Sequence, residues 1–143
     1  MSQPADQDSV GYAIKRLQAA LHAAMDDALR ELGIGVSQYS CLTALAARPE
    51  LSNAELARAV FVSRQATHQL LAGLRDAGLV EASGTGRGTR LSLSPRGREL
   101  LAESAERVDA VQEVMLAPVP AERRAGLRDD LIRCAVALEE VTG

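Results

Sequence analysis

Two capping serines, Ser52 and Ser63, leave the middle of this chain little choice of structure. Ser52 is followed three residues later by Glu55. This is the pattern of a capping box, in which the serine hydroxyl takes the third amide and the glutamate takes the amide of the cap. A short helix therefore starts in NAELARAV, with Leu56 and Val60 to bury. Ser63 caps a second helix, RQATHQLLAGLRDA, which ends at Gly78 as a glycine at a helix C-terminus should. Only a brief turn at Phe61-Val62 separates them, so the pair is a helix-turn-helix candidate.

The flanks are helical as well. From about Ser9 to Leu32, the residues Ile14, Leu17, Leu21, Met25, Ala28 and Leu32 recur every three or four positions and make one apolar face. Gly33 and Gly35 end that helix. Ser37 is placed to cap the next, which turns Leu42 and Leu45 inward and stops near Pro49. After Gly78 the period changes. LVEA and TRLSL are short and alternating, with Leu91 and Leu93 on one face and Arg90 and Ser92 on the other. Between them SGTGRG makes a hairpin turn with Arg87 at its tip. Ser94-Pro95 restarts a helix, serine as cap and proline at the first position. Leu101, Val108, Val111 and Met115 share one side of it. After a break at LAPVPAE, Leu127, Leu131, Cys134, Leu138 and Val141 step by four and three alternately, the seam spacing of packed helices.

Tyr12, Tyr39 and Phe61 are the only aromatic residues, so leucine and alanine must build the core, which favours helices over strands. A length of 143 residues with 47% hydrophobic residues suits one compact domain. No apolar run approaches the roughly 20 residues needed to span a bilayer, and no secretory signal pattern is present, so a soluble cytoplasmic protein is expected. Cys41 and Cys134 make no disulfide framework and lie on helical stripes, where a free cysteine is ordinarily a small buried hydrophobe. With His22 and His68 as the only histidines, no metal-ligand spacing arises, and no cofactor is expected.

The net charge of −3 is unevenly spread. Residues 1–51 carry −2 and residues 99–143 carry −5, whereas residues 52–98 carry 7 basic against 3 acidic groups, a net +4. The helix-turn-helix lies in that basic middle. On a wheel at about 100° per residue, Ala66, Thr67, Leu70, Leu71, Leu74 and Ala77 fall on one side of the helix after Ser63. Arg64, Gln65, His68, Gln69, Ala72, Arg75 and Asp76 fall on the other. Polar groups thus crowd its first turns: Arg64, Gln65, Thr67, His68 and Gln69. Arginine can pair with guanine O6 and N7, and glutamine with adenine N6 and N7, in a major groove. A recognition helix reads bases mainly from its N-terminal half. Small Ala72 and Gly73 would let a phosphate backbone approach, and the hairpin arginine can reach an adjacent minor groove or phosphates. A polar helix face alone is usually only solvated. Helix-turn-helix, basic segment and basic-tipped hairpin in one order point to double-stranded DNA.

NAELARAV, VSRQATHQLLAGL, AGLV, and Leu93-Ser94 followed by Gly97, together with Gln38 and Leu45, resemble the MarR family of winged helix-turn-helix regulators. The resemblance implies a mainly α fold with a small β-hairpin wing. Residues 1–36 would form a tail and dimerisation helix, 37–98 the winged DNA-binding region and 99–143 the C-terminal dimerisation helices, in one compact domain overall. It implies a homodimeric repressor on a pseudo-palindromic operator, with half-sites about one DNA turn apart, relieved by a small, commonly phenolic or lipophilic ligand. The DNA-binding set would be Ser63, Arg64, Gln65, Thr67, His68, Gln69, Arg87 and Arg90, and a ligand pocket would draw on Tyr12, His22, Met25 and Tyr39. Two departures touch the wing. Thr85 stands where the family usually has an aspartate two residues before the wing arginine, and Ala82 replaces a frequent basic residue.

An enzyme is not expected. No Ser/His/Asp or Cys/His set and no paired carboxylates stand out, and GTGRG opens no helix after a strand, so it is not a dinucleotide fingerprint. The remaining rival is a protein-interaction module that uses the winged domain to bind a partner protein. Such a module would bind DNA weakly and with little salt dependence.

Overall fold

Serine hydroxyls sit at the starts of helices along the chain. The Ser9 Oγ accepts from the Tyr12 amide at 3.0 Å, Ser63 Oγ from the Ala66 amide at 3.1 Å, and Ser94 Oγ from the Gly97 amide at 3.0 Å. Each satisfies an amide that the helix itself leaves without a partner. The computed structural model describes residues 9–48, 51–60, 63–84 and 90–142. Along them run α1 (Val10–Leu29), a 3-10 turn (Arg30–Leu32), α2 (Val36–Ala47), α3 (Asn53–Val60), α4 (Arg64–Asp76), β1 (Val80–Ser83), β2 (Arg90–Leu93), α5 (Pro95–Leu116) and α6 (Ala121–Thr142).

The chain divides into two compact units, residues 1–111 and 112–143. In the first, α2, α3 and α4 pack on one another, and the hairpin packs against α2 and α4. Leu29, Leu42, Leu45, Leu56 and Leu74 are almost wholly buried at its centre. Aliphatic leucine does here what aromatic residues do in many small domains, and each such side chain contributes about 1.5–3 kcal/mol by leaving water. The second unit holds the last turns of α5 and all of α6, where the Arg124 guanidinium donates to the Val119 carbonyl at 3.1 Å across the turn that joins them.

Helix ends follow the glycines. Gly33, at φ 71°, closes the 3-10 turn after α1. At the end of α4 the Leu79 amide donates to the Leu74 carbonyl and the Gly78 amide to the Arg75 carbonyl, both at 2.9 Å, with Gly78 at φ 75°. That is the paired closure of a Schellman motif, and Leu74 and Leu79 are both buried, as the motif favours. The chain leaves this stop straight into β1, which pairs antiparallel with β2 so that Val80 faces Leu93 and Ala82 faces Leu91. Leu91 and Leu93 are buried while Arg90 is exposed, as the alternation predicts.

Several expectations change. Gly35, not Ser37, precedes α2. The Gln38 side-chain oxygen reaches back to accept from the Gly35 amide at 2.9 Å, as the third residue of a capping box does, while Ser37 is exposed within the first turn. Ala77 is exposed, because α4 closes one residue earlier and Ala77 belongs to the cap. Cys41 is buried as expected, and burial pushes its thiol up to about 11. Cys134 is exposed, as are the residues on either side of it along α6 in a single chain. The turn at Phe61-Val62 lies outside the described residues.

Candidate nucleic-acid interface

α3 is held by the box that begins it. The Ser52 amide donates to Glu55 Oε1 at 3.1 Å and the Glu55 amide to Ser52 Oγ at 3.2 Å. Hydrogen bonding to the carboxyl from the Ser52 amide first, and then from the Ser52 side chain, holds Glu55 below its ordinary value, and Arg48 adds an ion pair at 3.4 Å. A charged Glu55 also suits the positive end of the helix dipole. Leu56 and Ala57 then bury on the side that faces the core.

α4 lies with one side fixed and the other free. Thr67, Leu71 and Leu74 are buried, and Ala66 and Leu70 half-buried. Arg64, Gln65, His68 and Gln69 are all exposed, with Ser63 exposed just before them. At helical spacing Arg64 stands one turn from His68, and Gln65 one turn from Gln69. The four make a continuous patch of a guanidinium, an imidazole and two amides on the N-terminal half of α4. Ala72 and Gly73 follow on the same exposed surface, and a Cβ built on Gly73 would meet nothing within 4 Å.

Thr67 does not join that patch. It is fully buried, and its hydroxyl donates to the Ser63 carbonyl at 2.9 Å, so it secures the first turn from behind. Its place on the apolar side of the wheel decides this against its polarity. Arg90 is exposed on β2, paired in register with Ser83. Arg87 and Thr85, at the hairpin tip, lie outside the described residues. A feature the sequence did not signal lies beside Gln69: a shallow hollow of about 340 Å³ is lined by Ser37, Gln38, Gln69, Leu70 and Gly73. It brings the first turn of α2 next to the exposed face of α4. The pattern could have shown this only by placing two helices in space at once.

The four ligand candidates separate. Met25 and Tyr39 are half-buried against the core, and Tyr12 is half-buried at the first turn of α1. His22 is exposed. Tyr12 lies thirteen residues before Met25 on one helix, about 20 Å away, so the set does not converge within a single chain. Among the described residues no three His, Cys, Asp or Glu side chains are placed to hold a metal ion, and no helix is long and apolar enough to cross a membrane.

A model of the MarR family matches residues 32–90, which run from the end of the 3-10 turn to the first residue of β2. The HTH-type transcriptional repressor Rv2887 of Mycobacterium tuberculosis is 38% identical over 110 residues, covering 75% of this chain and 76% of the relative. The chain belongs to the MarR family. Solved structures agree on the architecture throughout. The crystal structure of Rv2887 in complex with DNA matches with a TM-score of 0.75 and 32% identity, over 88% of this chain and 97% of that one. Rv2887 in complex with salicylic acid matches with a TM-score of 0.76 and 33% identity, over 92% and 99%. The helix-turn-helix of α3 and α4 followed by the β1–β2 wing is therefore the winged helix-turn-helix of MarR-family regulators.

Proposed function

We propose that this MarR-family chain is a homodimeric transcriptional repressor that lays α4 in the major groove of a pseudo-palindromic operator and is released by a small ligand. The observation that carries the reading is the patch of Arg64, Gln65, His68 and Gln69, exposed together on the N-terminal half of a helix whose other side is locked into the core. These side chains offer the donors and acceptors that distinguish base pairs in the major groove. The crystal structure of Rv2887 with DNA supports the partner, and those with salicylic acid and p-aminosalicylic acid support an effector.

In this reading Ser63 and the N-terminus of α4 meet phosphate, as helix N-termini do, and Arg87 and Arg90 bring the wing to the minor groove or backbone. Residues 37–98 form the DNA-binding region. Residues 1–36 and 99–143 supply the dimer contacts, since Ile14 and Leu17 on α1 and Leu127, Leu131 and Leu138 on α6 are exposed apolar side chains in the single chain. The protein works in the cytoplasm and catalyses no reaction.

The test is a titration against labelled DNA from upstream of its own gene, at several salt concentrations, with unrelated DNA as control. Saturable and selective binding that weakens steeply with salt is the expected result. Equal, weak binding to both DNAs would remove autoregulation and send the search to a genome-wide selection. If no DNA emerged from that selection, the winged domain would be a partner-protein module.

A further inference from the structure

A stripe of charge runs along the first half of α5: Arg96, Glu99, Glu103 and Arg107 follow one another at one-turn spacing. The last of them has a partner. The Arg107 guanidinium donates to a Glu31 carboxylate oxygen at 2.9 Å and holds α5 to the 3-10 turn. The other three are exposed, and among the described residues their side chains join no ion pair. They open instead on a hollow of about 350 Å³, where Leu32 of the 3-10 turn, Leu79 before β1 and Leu100 of α5 supply apolar surface. Leu79 is buried, and Leu32 and Leu100 pack against the core.

Both signs of charge around one apolar hollow select an occupant. A bare anion would meet two carboxylates. A metal ion would find only two acidic ligands, with a cation beside them. A hydrocarbon would leave all three charges unused. A small molecule with a carboxylate, an ammonium and an apolar body uses every group, and the planar fork of arginine matches the carboxylate. The helix ends agree. The 3-10 turn after α1 ends at Gly33 and α4 ends at Ala77, both on the wall of the hollow, and helix C-termini favour cations. α5 begins beside Arg96, and a helix N-terminus favours anions. We propose that this hollow binds a free amino acid with an apolar side chain. Its carboxylate sits on Arg96, its ammonium between Glu99 and Glu103, and its side chain against Leu32, Leu79 and Leu100.

The hollow lies wholly within the first unit and shares no residue with the exposed face of α4 or with Tyr12, His22, Met25 and Tyr39. The inference therefore goes beyond the repressor reading and does not rest on it. A ligand seated there touches the ends of α1 and α4 and the start of α5 at once. It binds only while the three are assembled, so it stabilises the folded chain by mass action.

The experiment is calorimetric titration of the full chain with leucine in the absence of DNA. Three analogues each lack one group: N-acetyl-leucine the ammonium, leucinamide the carboxylate and glycine the apolar side chain. The variants are Arg96→Gln, Glu99→Gln, Ala77→Phe, which fills the hollow from an exposed position, and Arg98→Gln on another side of α5, with thermal unfolding of each as the check on folding. Leucine should bind the unmodified chain saturably at millimolar concentration and raise its Tm by roughly 3 °C at about ten times the Kd. Each analogue should bind about tenfold more weakly. Arg96→Gln and Glu99→Gln should each weaken leucine by about tenfold, Ala77→Phe should abolish binding, and Arg98→Gln should leave it unchanged. Absence of leucine binding at millimolar concentration would overturn the proposal, as would leucinamide or N-acetyl-leucine binding as tightly as leucine. Unchanged binding in both Arg96→Gln and Glu99→Gln would overturn it too, and loss in Arg98→Gln alone would place the ligand elsewhere. The repressor reading is decided separately, by selective DNA binding of the same protein.

Discussion

The Ser94 hydroxyl lies 2.6 Å from the Gly78 carbonyl oxygen, joining the start of α5 to the stop of α4. Ser94 Oγ in turn accepts from the Gly97 amide at 3.0 Å, and the Ser94 amide donates to the Leu79 carbonyl at 3.0 Å. One residue thus caps α5, continues the ladder of the wing and ties down the exit from α4. The three elements can meet because Gly97 has no side chain. A Cβ at that position would lie 2.1 Å from the Leu79 carbonyl oxygen.

Gly97→Ala should therefore be severely destabilising. The obstruction is backbone, which cannot rotate aside, and overpacking of this kind costs about 3 kcal/mol. Thermal unfolding should show a Tm lower by roughly 10 °C, and a Tm unchanged from the parent chain would show that the junction opens freely. Ala substitution at Gly73, where nothing stands within 4 Å, is the contrasting case and should not destabilise.

Ser104 makes the opposite prediction. Its hydroxyl is fully buried in α5 and has no hydrogen-bond partner among the described residues. A buried hydroxyl without a partner costs about 1–3 kcal/mol in lost hydration. Ser104→Ala should raise stability by about 1 kcal/mol in denaturant unfolding, with the slope unchanged. A loss of stability would mean that the hydroxyl has a partner in the assembled protein.

The face of α4 can be tested by contrast. Gln65→Ala and Arg64→Ala should each narrow the gap between operator and unrelated DNA by about 1–3 kcal/mol, because base-edge contacts carry discrimination. Arg64→Ala should also flatten the salt dependence if its guanidinium lies near phosphate. Thr67→Val should leave the selectivity intact, since its hydroxyl is spent on the Ser63 carbonyl and no part of it reaches the surface. Equal loss of selectivity in Thr67→Val and Gln65→Ala would place recognition somewhere other than this face.

Cys41 supplies a pH test. Burial raises its thiol to about 11, above the value of about 8.5 for a free cysteine. A raised acid is protonated in the folded chain while the unfolded chain has already ionised. Its contribution is therefore complete below about pH 8.5 and is lost as pH climbs through about 11. In a Cys134→Ser background, iodoacetamide at pH 8 should leave the folded chain unlabelled and label it once on unfolding. Rapid labelling of the folded chain would show that the α2 side of the core opens.

How much of this could be read beforehand depends on how local the signal is. α3 and α4 were legible because Ser52, Glu55, Ser63 and Gly78 act within a turn of where they stand, and the hairpin because its residues alternate. The exposure of Arg64, Gln65, His68 and Gln69 followed from periodicity alone. The cap of α2 did not, since a serine near a helix start reads as its cap, and only geometry shows the helix beginning after Gly35 with Gln38 reaching back to its amide. Nor did the hollow that sets Ser37 and Gln38 beside Gln69, or the clash waiting at Gly97. Each joins residues from separate elements, and no short stretch of sequence records which atoms will face one another.

α6 carries the clearest unmet demand. Leu127, Leu131, Leu138 and Val141 lie on one seam with Cys134, and they are 38%, 42%, 68% and 84% exposed in the single chain. Apolar side chains repeated at that spacing stay out of water only against another helix. A carboxylate at Leu131 would have to enter such a seam without a partner, and an uncompensated buried charge costs about 3–5 kcal/mol. Leu131→Glu should therefore shift the sedimenting species from dimer to monomer at micromolar concentration, while helix content by circular dichroism is kept. Operator affinity should fall with it, because a monomer holds one half-site and loses the second. A dimer that persists in Leu131→Glu would show that α6 is not what holds the two copies together. A monomeric parent chain that still binds a palindromic operator selectively would remove the dimer from the mechanism altogether.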